Sequence, residues 1–497
     1  MLPEWMQRVL WAGAALFATM YALAGYMQGD MKPFLALFAV GAVILMTINA
    51  NYPLYLAFII VCPFNYYFFP YQLTTFTIIL GISIFAAGLR WVVGHDRERG
   101  IAGFDWAVLG FFALVTARYL SSPVLPQQMS GVSNVITGFR VWFDYGIALT
   151  TVLFLGFMLR DETAICRFLR WTLIFSIAMA LVFLVLIPIK EPIVTLYLRI
   201  FGIHIDLFDN GWRRFVVLPQ FGFTMLLAAM LPKVFMAERF PRKVIAVLGL
   251  VCVAIGANRS SFLAIAVSVV VLLLIKRQFK YVFLTLASLA ACIIGFIIAF
   301  ESGLVSANTP GIRVAAMFNQ SIDRESGAAG NMEWRARRWK AAWDDIKKRP
   351  FAGSGYGGLE HLNEDKAYRQ STDNADLVDI SLATGGIHNG YLSGARGVGI
   401  PAIGFVLLFL FIRSSTMLKL SMRNSDVTAL PFQMTGYGLA MVIYLALNML
   451  TGLDVHSPQL WMNLAAVLIM EKLIKKNESS AARSPDRSNT ADRMPGP

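Results

Sequence analysis

His388, followed by Asn389, Gly390, Tyr391 and Leu392, is the residue best suited to proton transfer in this chain. An imidazole takes up and releases protons near neutral pH. This one stands near the end of the one long polar segment, about Glu301 to Arg396, of an otherwise apolar sequence. Arginines supply a complementary chemistry. Arg259 lies in Gly256-Ala257-Asn258-Arg259-Ser260-Ser261 between two apolar runs, and Arg214 stands at the edge of a span, ahead of Leu218-Pro219-Gln220. Charges at membrane depth usually face an internal cavity and bind something, and guanidinium groups grip phosphate oxygens in pairs. Interfacial snorkelling is the alternative use of Arg213 or Arg214. Arg118, Arg140 and Asp144 read as an ion-pair cluster near the same face, and Asp454 with His456 is a second, weaker histidine candidate.

The elements that must position these groups follow from composition. Of 497 residues, 57% are hydrophobic and 15% charged, and the mean hydropathy is +0.61. Soluble domains hold roughly 45–50% apolar and about 25% charged residues. The excess comes in runs long enough to cross a hydrocarbon core of ~30 Å as helices, the default for a chain in lipid. The expected fold is therefore all-α and polytopic, with about 14 spans at roughly 9–27, 34–50, 53–69, 73–92, 104–119, 141–159, 171–189, 215–231, 244–257, 261–275, 281–300, 398–415, 431–450 and 459–474. The chain divides into transmembrane helices over 1–300, an extracytoplasmic catalytic loop over 301–396, three further spans over 397–476 and a polar, disordered tail over 477–497.

The net charge of +13 resides in short clusters between apolar runs, such as Arg160, Arg167 and Arg170, rather than in one patch. That placement orients helices by the positive-inside rule and excludes a nucleic-acid partner. It sets both termini in the cytoplasm and the long loop outside. Cys62, Cys166, Cys252 and Cys292 lie in or beside apolar runs without a CxxC pair and read as small buried hydrophobes. The first apolar run is too long for a cleavable signal.

Within the loop, Asn331 is placed to cap a helix that runs to Lys348 and stops at Pro350, with Arg335, Trp339 and Trp343 on one face and Ile346 beside them. Such a helix suits the membrane surface; Arg335 or Arg338 could also hold pyrophosphate. Gly353-Ser354-Gly355-Tyr356-Gly357-Gly358 matches GxGxxG, but a helix precedes it and no βαβ unit follows, so it reads as a tight turn with close backbone approach. Six acids between Glu360 and Asp379 form a solvated run, and neither they nor His361 has metal-ligand spacing.

These motifs, in this order, resemble the O-antigen ligase and Wzy-type O-antigen or exopolysaccharide polymerase superfamily. The resemblance rests on Arg214…Pro219-Gln220, Asn258-Arg259-Ser260, Arg335-x-x-x-Trp339, Arg349-Pro350-Phe351-x-Gly353-x-Gly355 and His388-Asn389-x-Tyr391-Leu392…Gly399. It implies an inverting transferase of the bacterial inner membrane that needs neither metal nor cofactor. Its donor would be an undecaprenyl-pyrophosphate-linked oligosaccharide and its acceptor a glycan or lipid A core, with inner-membrane lipids and polysaccharide export proteins as partners. Carried over, His388 is the general base; Arg214, Arg259, Arg335 and Arg338 bind pyrophosphate; and Asn389, Tyr391, Trp339, Gly353 and Gly355 support them. Ligases carry a second Gly, often followed by Thr, where this chain has Ala402 and Ile403, which favours a polymerase. A lipid-linked oligosaccharide flippase should carry basic residues deep in several spans and paired halves; this chain shows no repeat. A non-catalytic scaffold or sensor is the third reading.

Overall fold

The computed structural model describes residues 51–61, 75–93, 105–123, 139–186, 218–256, 259–306, 328–356, 387–423 and 426–482, with short pieces at 41, 127–128, 136–137, 315–316, 318–319 and 321–322. The expected spans 9–27 and 34–50 and the tail beyond 482 lie outside them, as do Cys62, Arg213, Arg214, His361 and the acidic run. The described chain is helical apart from a two-residue antiparallel pairing of Gln127–Gln128 with Ile136–Thr137. Its helices are α1 (Tyr52–Val61), α2 (Thr75–Val93), α3 (Trp106–Ser121), α4 (Phe139–Met158), α5 (Glu162–Leu186), α6 (Leu218–Met230), α7 (Arg242–Gly256), α8 (Arg259–Ile275), α9 (Phe279–Glu301), α10 (Ala328–Lys348), α11 (Gly390–Val398), α12 (Ile400–Arg423), α13 (Leu430–Met449) and α14 (Pro458–Ala482).

Twelve expected spans each fall on one of these helices, and α10 and α11 belong to the polar loop. Among the described residues, five helices are long and apolar enough to cross a membrane, and several shorter apolar helices accompany them. The boundaries shift where polar residues cap a helix. α5 begins at Glu162, nine residues before the expected start, because the Asp161 carboxylate accepts from Ala164 N at 2.7 Å and holds the first turn. α14 runs to Ala482, six residues into the segment assigned to the tail.

α13 and α14 form the middle of the bundle, touching α8, α12 and α4. Trp461 of α14 stacks on Phe111 of α3 at 5.0 Å, and Phe223 of α6 stacks on Tyr444 of α13 at 4.4 Å. α6 and α7 approach so closely that a Cβ at Gly222 would come within 2.5 Å of Gly249 O; small residues permit such contacts between helices in lipid. α9 is the reverse case. Phe283, Leu284, Ile294 and Ile298 are exposed, as expected of a helix facing lipid tails. Cys292 lies on the same exposed helix, which corrects the expectation of four buried cysteines; Cys166 and Cys252 are buried.

The bundle has two chemically distinct ends. At one, Arg413 of α12 pairs with Asp105 at 3.0 Å and with Glu471 at 2.5 Å, and Lys475 adds to Glu471 at 2.6 Å. At the other end lie α10, α11 and the turn between α13 and α14.

Candidate active site

α11 is a nine-residue helix whose entry explains why His388 and Asn389 are adjacent. Asn389 is extended at φ −153°, and its side-chain oxygen accepts from Leu392 N at 3.0 Å, which caps the helix. The chain reaches that cap through His388, at φ +56°. The left-handed region costs an L-residue about 1–2 kcal/mol, and non-glycine residues found there cluster at functional sites. The half-buried imidazole is thereby presented at the lip of the helix rather than along its side. Tyr391 donates to Ala446 O of α13 at 3.1 Å, and burial pushes its phenol up to about 12.

α10 lies against this entry. The Trp339 indole N–H donates to Ile387 O at 3.2 Å, and Ala342, Ile387 and Leu392 pack beside it. The helix starts at Ala328, so Asn331 sits in its first turn rather than at its cap. The inward face also differs from the expected one. Arg338, Ala342 and Ile346 are buried while Trp343 is exposed, because the i, i+4, i+8 row through Arg338 meets α11. Burial, with Arg335 one turn away adding repulsion, holds the Arg338 guanidinium down to about 10. It remains a cation at neutral pH, on the helix that packs against the entry to α11.

The glycine turn fastens the other end of α11. Gly353, at φ +67°, donates to Arg349 O; Gly355 donates to Gly397 O at 3.1 Å; and Ile400 N donates to Pro350 O at 2.8 Å. Backbone thus approaches backbone, as the GxGxxG string suggested. The buried Tyr356 hydroxyl donates to Ser393 O at 2.9 Å and accepts from Tyr145 of α4 at 3.2 Å. Arg396 pairs with Asp345 of α10 at 3.1 Å, and the Arg118 guanidinium of α3 lies 3.0 Å from where a Cβ at Gly355 would stand.

The α13–α14 turn closes the site end. A Cβ at Gly390 would come within 2.2 Å of Leu453 O and 3.3 Å of the Asp454 Cα. The His456 ring packs edge-on against Tyr145 and Tyr356, 6.1 Å from each. Asp454 Oδ1 is buried without a hydrogen-bond partner among the described residues, and burial pushes its carboxyl up to about 7 from the ordinary 3.8. The folded protein therefore keeps a proton there that the unfolded chain has released. The stability this proton confers is complete below about pH 4 and lost by about pH 7. Asp454→Asn is expected to flatten that decline: unfolding midpoints in detergent at pH 5 and pH 8 should converge relative to wild type. An unchanged gap would show that Asp454 titrates normally.

The structure thus brings Arg335, Arg338, Trp339, Gly353, Gly355, His388, Asn389 and Tyr391 to one end of the bundle. The Arg259 backbone opens α8, whose Ser261 hydroxyl bonds Asn448 of α13 at 3.2 Å. Tyr391 reaches the same helix at Ala446, so Arg259 enters the bundle at that end too. Its side chain, like all of Arg214, lies outside the described residues. Among the described residues no three His, Cys, Asp or Glu side chains gather to hold a metal.

Residues 244–409 match the family model described as O-Antigen ligase. This third of the chain belongs to the O-antigen ligase/Wzy superfamily. No curated protein matches the chain. The O-antigen ligase segment runs from α7 into α12 and contains Arg259, α10, the glycine turn and α11. Outside it lie Arg118, Tyr145, Asp454 and His456, so the surroundings of α11 are completed by helices that the match does not cover. The Tyr145–Tyr356 pair carries no local signal in sequence, since its members are 211 residues apart. The similarity over this third supports a glycan-related membrane function.

Proposed function

We propose that the chain transfers an oligosaccharide from undecaprenyl pyrophosphate to a sugar hydroxyl at the outer face of the bacterial inner membrane, as a polymerase of cell-surface polysaccharide. The observation that carries this reading is the packing of α10, the helix that holds the buried Arg338, against the entry to α11 that holds His388, inside an O-antigen ligase segment.

In the proposed reaction His388 accepts the proton of the acceptor hydroxyl. The oxygen attacks the anomeric carbon from the face opposite the pyrophosphate and inverts it. The bond to the leaving oxygen breaks, and its electron pair stays on the pyrophosphate. Arg214, Arg259, Arg335 and Arg338 stabilise that charge, which is the largest electrostatic demand of the step. An imidazole near its ordinary pKa of about 6.5 is a suitable base at neutral pH. Asn389, Tyr391, Trp339, Gly353 and Gly355 hold the geometry.

Ala402 and Ile403 favour the polymerase over a ligase to lipid A core. Ile403 fills the space above Gly394, 2.4 Å from where a Cβ would stand there, so the departure from ligases falls under α11 itself.

A deletion strain is expected to lose long-chain polysaccharide and accumulate single lipid-linked repeat units on the outer face. Loss of capped lipid A core with intact long chains would identify a ligase instead, and accumulation on the cytoplasmic side would identify a flippase. In the same strain Arg338→Met should cut polymer yield by about tenfold or more, the loss of one charge-assisted contact of about 1.5–3 kcal/mol. Arg338→Lys should recover part of it. Equal yields from Met and Lys would remove Arg338 from pyrophosphate binding.

A further inference from the structure

Two cations meet at the glycine turn, at the end of α11 away from His388. Arg118, in the last turn of α3, reaches over Gly355, where its Nη2 lies 3.0 Å from the place a Cβ would take. Its Nη1 donates to the Ser121 hydroxyl at 3.0 Å, whereas its Nε is buried without a hydrogen-bond partner among the described residues. Arg118 forms no ion pair there, so the expected cluster with Asp144 does not account for it. The charged neighbour that acts on it is Arg349, a second cation, whose carbonyl accepts from Gly353 in the same turn. Arg349 is exposed. The acids at this end of α10 are engaged with other cations: Asp345 pairs with Arg396 and Lys348, and Asp344 with Lys347.

An arginine in the last turn of a helix needs no ligand to explain it, because it complements the helix dipole. A second orphaned donor argues for more. Trp142 of α4 is 7% exposed, and its indole N–H has no hydrogen-bond partner among the described residues. Its ring meets Tyr356 at 5.5 Å and Tyr119 at 5.4 Å. Two unsatisfied donors, from α3 and α4, thus flank Gly355 and Tyr356. Buried donors are nearly always paired, so each such orphan calls for a partner. An anion supplies acceptor oxygens to both and relieves the repulsion between the two guanidinium groups.

We propose, on the basis of the transferase reading, that Arg118, Arg349 and Trp142 bind an acidic group, a carboxylate or phosphate, carried on the sugar chain of the donor or acceptor. Guanidinium groups match such oxygens in geometry as well as charge, and an indole N–H can only donate. Position separates this group from the pyrophosphate. Arg349 stands eleven residues beyond Arg338, about 16 Å along α10, and the nine residues of α11 set the glycine turn about 13 Å from His388. One pyrophosphate does not cover that length, whereas an oligosaccharide leading away from the reacting bond does. The half-buried Tyr119 ring beside Trp142 offers the apolar face that a sugar ring can cover. The site would select glycans with an acidic sugar or phosphate at a fixed distance from the bond being made.

The test follows binding to the full-length protein in an uncharged detergent by titration calorimetry, with trigalacturonate, maltotriose and inorganic phosphate as probes. Trigalacturonate should bind, maltotriose should not, and phosphate should bind at least about tenfold more weakly than trigalacturonate. Arg118→Gln and Arg349→Gln should each weaken trigalacturonate by about tenfold or more, as expected on losing a charge-assisted contact. Arg349→Gln, at an exposed position, serves alone if Arg118→Gln does not fold. Trp142→Phe keeps a ring and removes the N–H, and should weaken binding about two- to tenfold. Lys347→Gln removes a charge from the same end of α10 outside the site and should bind like wild type. His388→Ala should also bind like wild type, so loss of the transferase reading and loss of this site give different results. No binding of trigalacturonate, equal binding of maltotriose, or unaltered affinity in the arginine variants overturns the site. Phosphate binding as tight as that of trigalacturonate overturns the glycan assignment.

Discussion

His388→Ala is expected to abolish long-chain polysaccharide while the protein still inserts and folds. A positioned general base contributes about 10²–10⁴-fold to a transfer of this kind, and a loss of that size empties the long-chain part of a polymer ladder. Alanine alone cannot separate chemistry from backbone geometry, because residue 388 is left-handed at φ +56°, a region that His and Asn enter more readily than alanine. His388→Asn separates them. Asparagine enters the left-handed region more readily than alanine, and it can neither accept nor hold a proton at neutral pH. Both variants should be equally inactive at wild-type levels of membrane protein, as measured by polymer profiles of a complemented deletion strain. Recovery with asparagine would assign residue 388 to the geometry of the turn, and normal polymer from both would sink the transferase mechanism.

The second large effect is expected at Gly397, which touches no proposed reactant. A Cβ there would stand 2.1 Å from the Tyr356 ring and 2.4 Å from its hydroxyl. The ring cannot step aside. Tyr356 is 1% exposed, tied to Ser393 and Tyr145, and packed edge-on against Trp142 at 5.5 Å. Gly397→Ala must therefore part α11 from the glycine turn. Overpacking of this kind costs about 1–3 kcal/mol, and a displacement of about 1 Å at a reacting group can cost about 10²-fold in rate. The expected result is a lower unfolding midpoint together with a near-complete loss of long chains. Adding Tyr356→Ala should restore part of the midpoint, since it removes the clashing ring. A wild-type midpoint and ladder for Gly397→Ala alone would mean that the turn is looser than its hydrogen bonds imply.

Other corrections came from the same source as the Tyr145–Tyr356 pair. Arg335, Trp339 and Trp343 share a helical stripe in sequence, and that stripe was expected to act together. The structure turns the row through Arg338, Ala342 and Ile346 inward instead and leaves Trp343 exposed. Helical periodicity identifies stripes, whereas the partner helix selects which of them is buried. Cys292 is exposed for a related reason: in a membrane protein an apolar helix can face lipid, so an apolar neighbourhood does not imply a protein interior.

The amino-acid sequence by itself determined the all-helical membrane-spanning class, because runs of apolar residues longer than a turn-bounded strand have one economical conformation in lipid. It also singled out His388 and Asn389 at the end of the polar loop, whereas the capped helix that they open and the left-handed backbone of His388 were decided by the structure. What only the tertiary structure decided was the company these residues keep. Asp454 meets Gly390 from a turn more than sixty positions away, Tyr145 reaches Tyr356 from an early span, and Arg338 rather than Trp343 faces α11. Local spacing encodes the geometry of one helix or one turn. Contacts between helices depend on which faces pack, and in this chain those contacts set the burial of Arg338 and the proton affinity of Asp454.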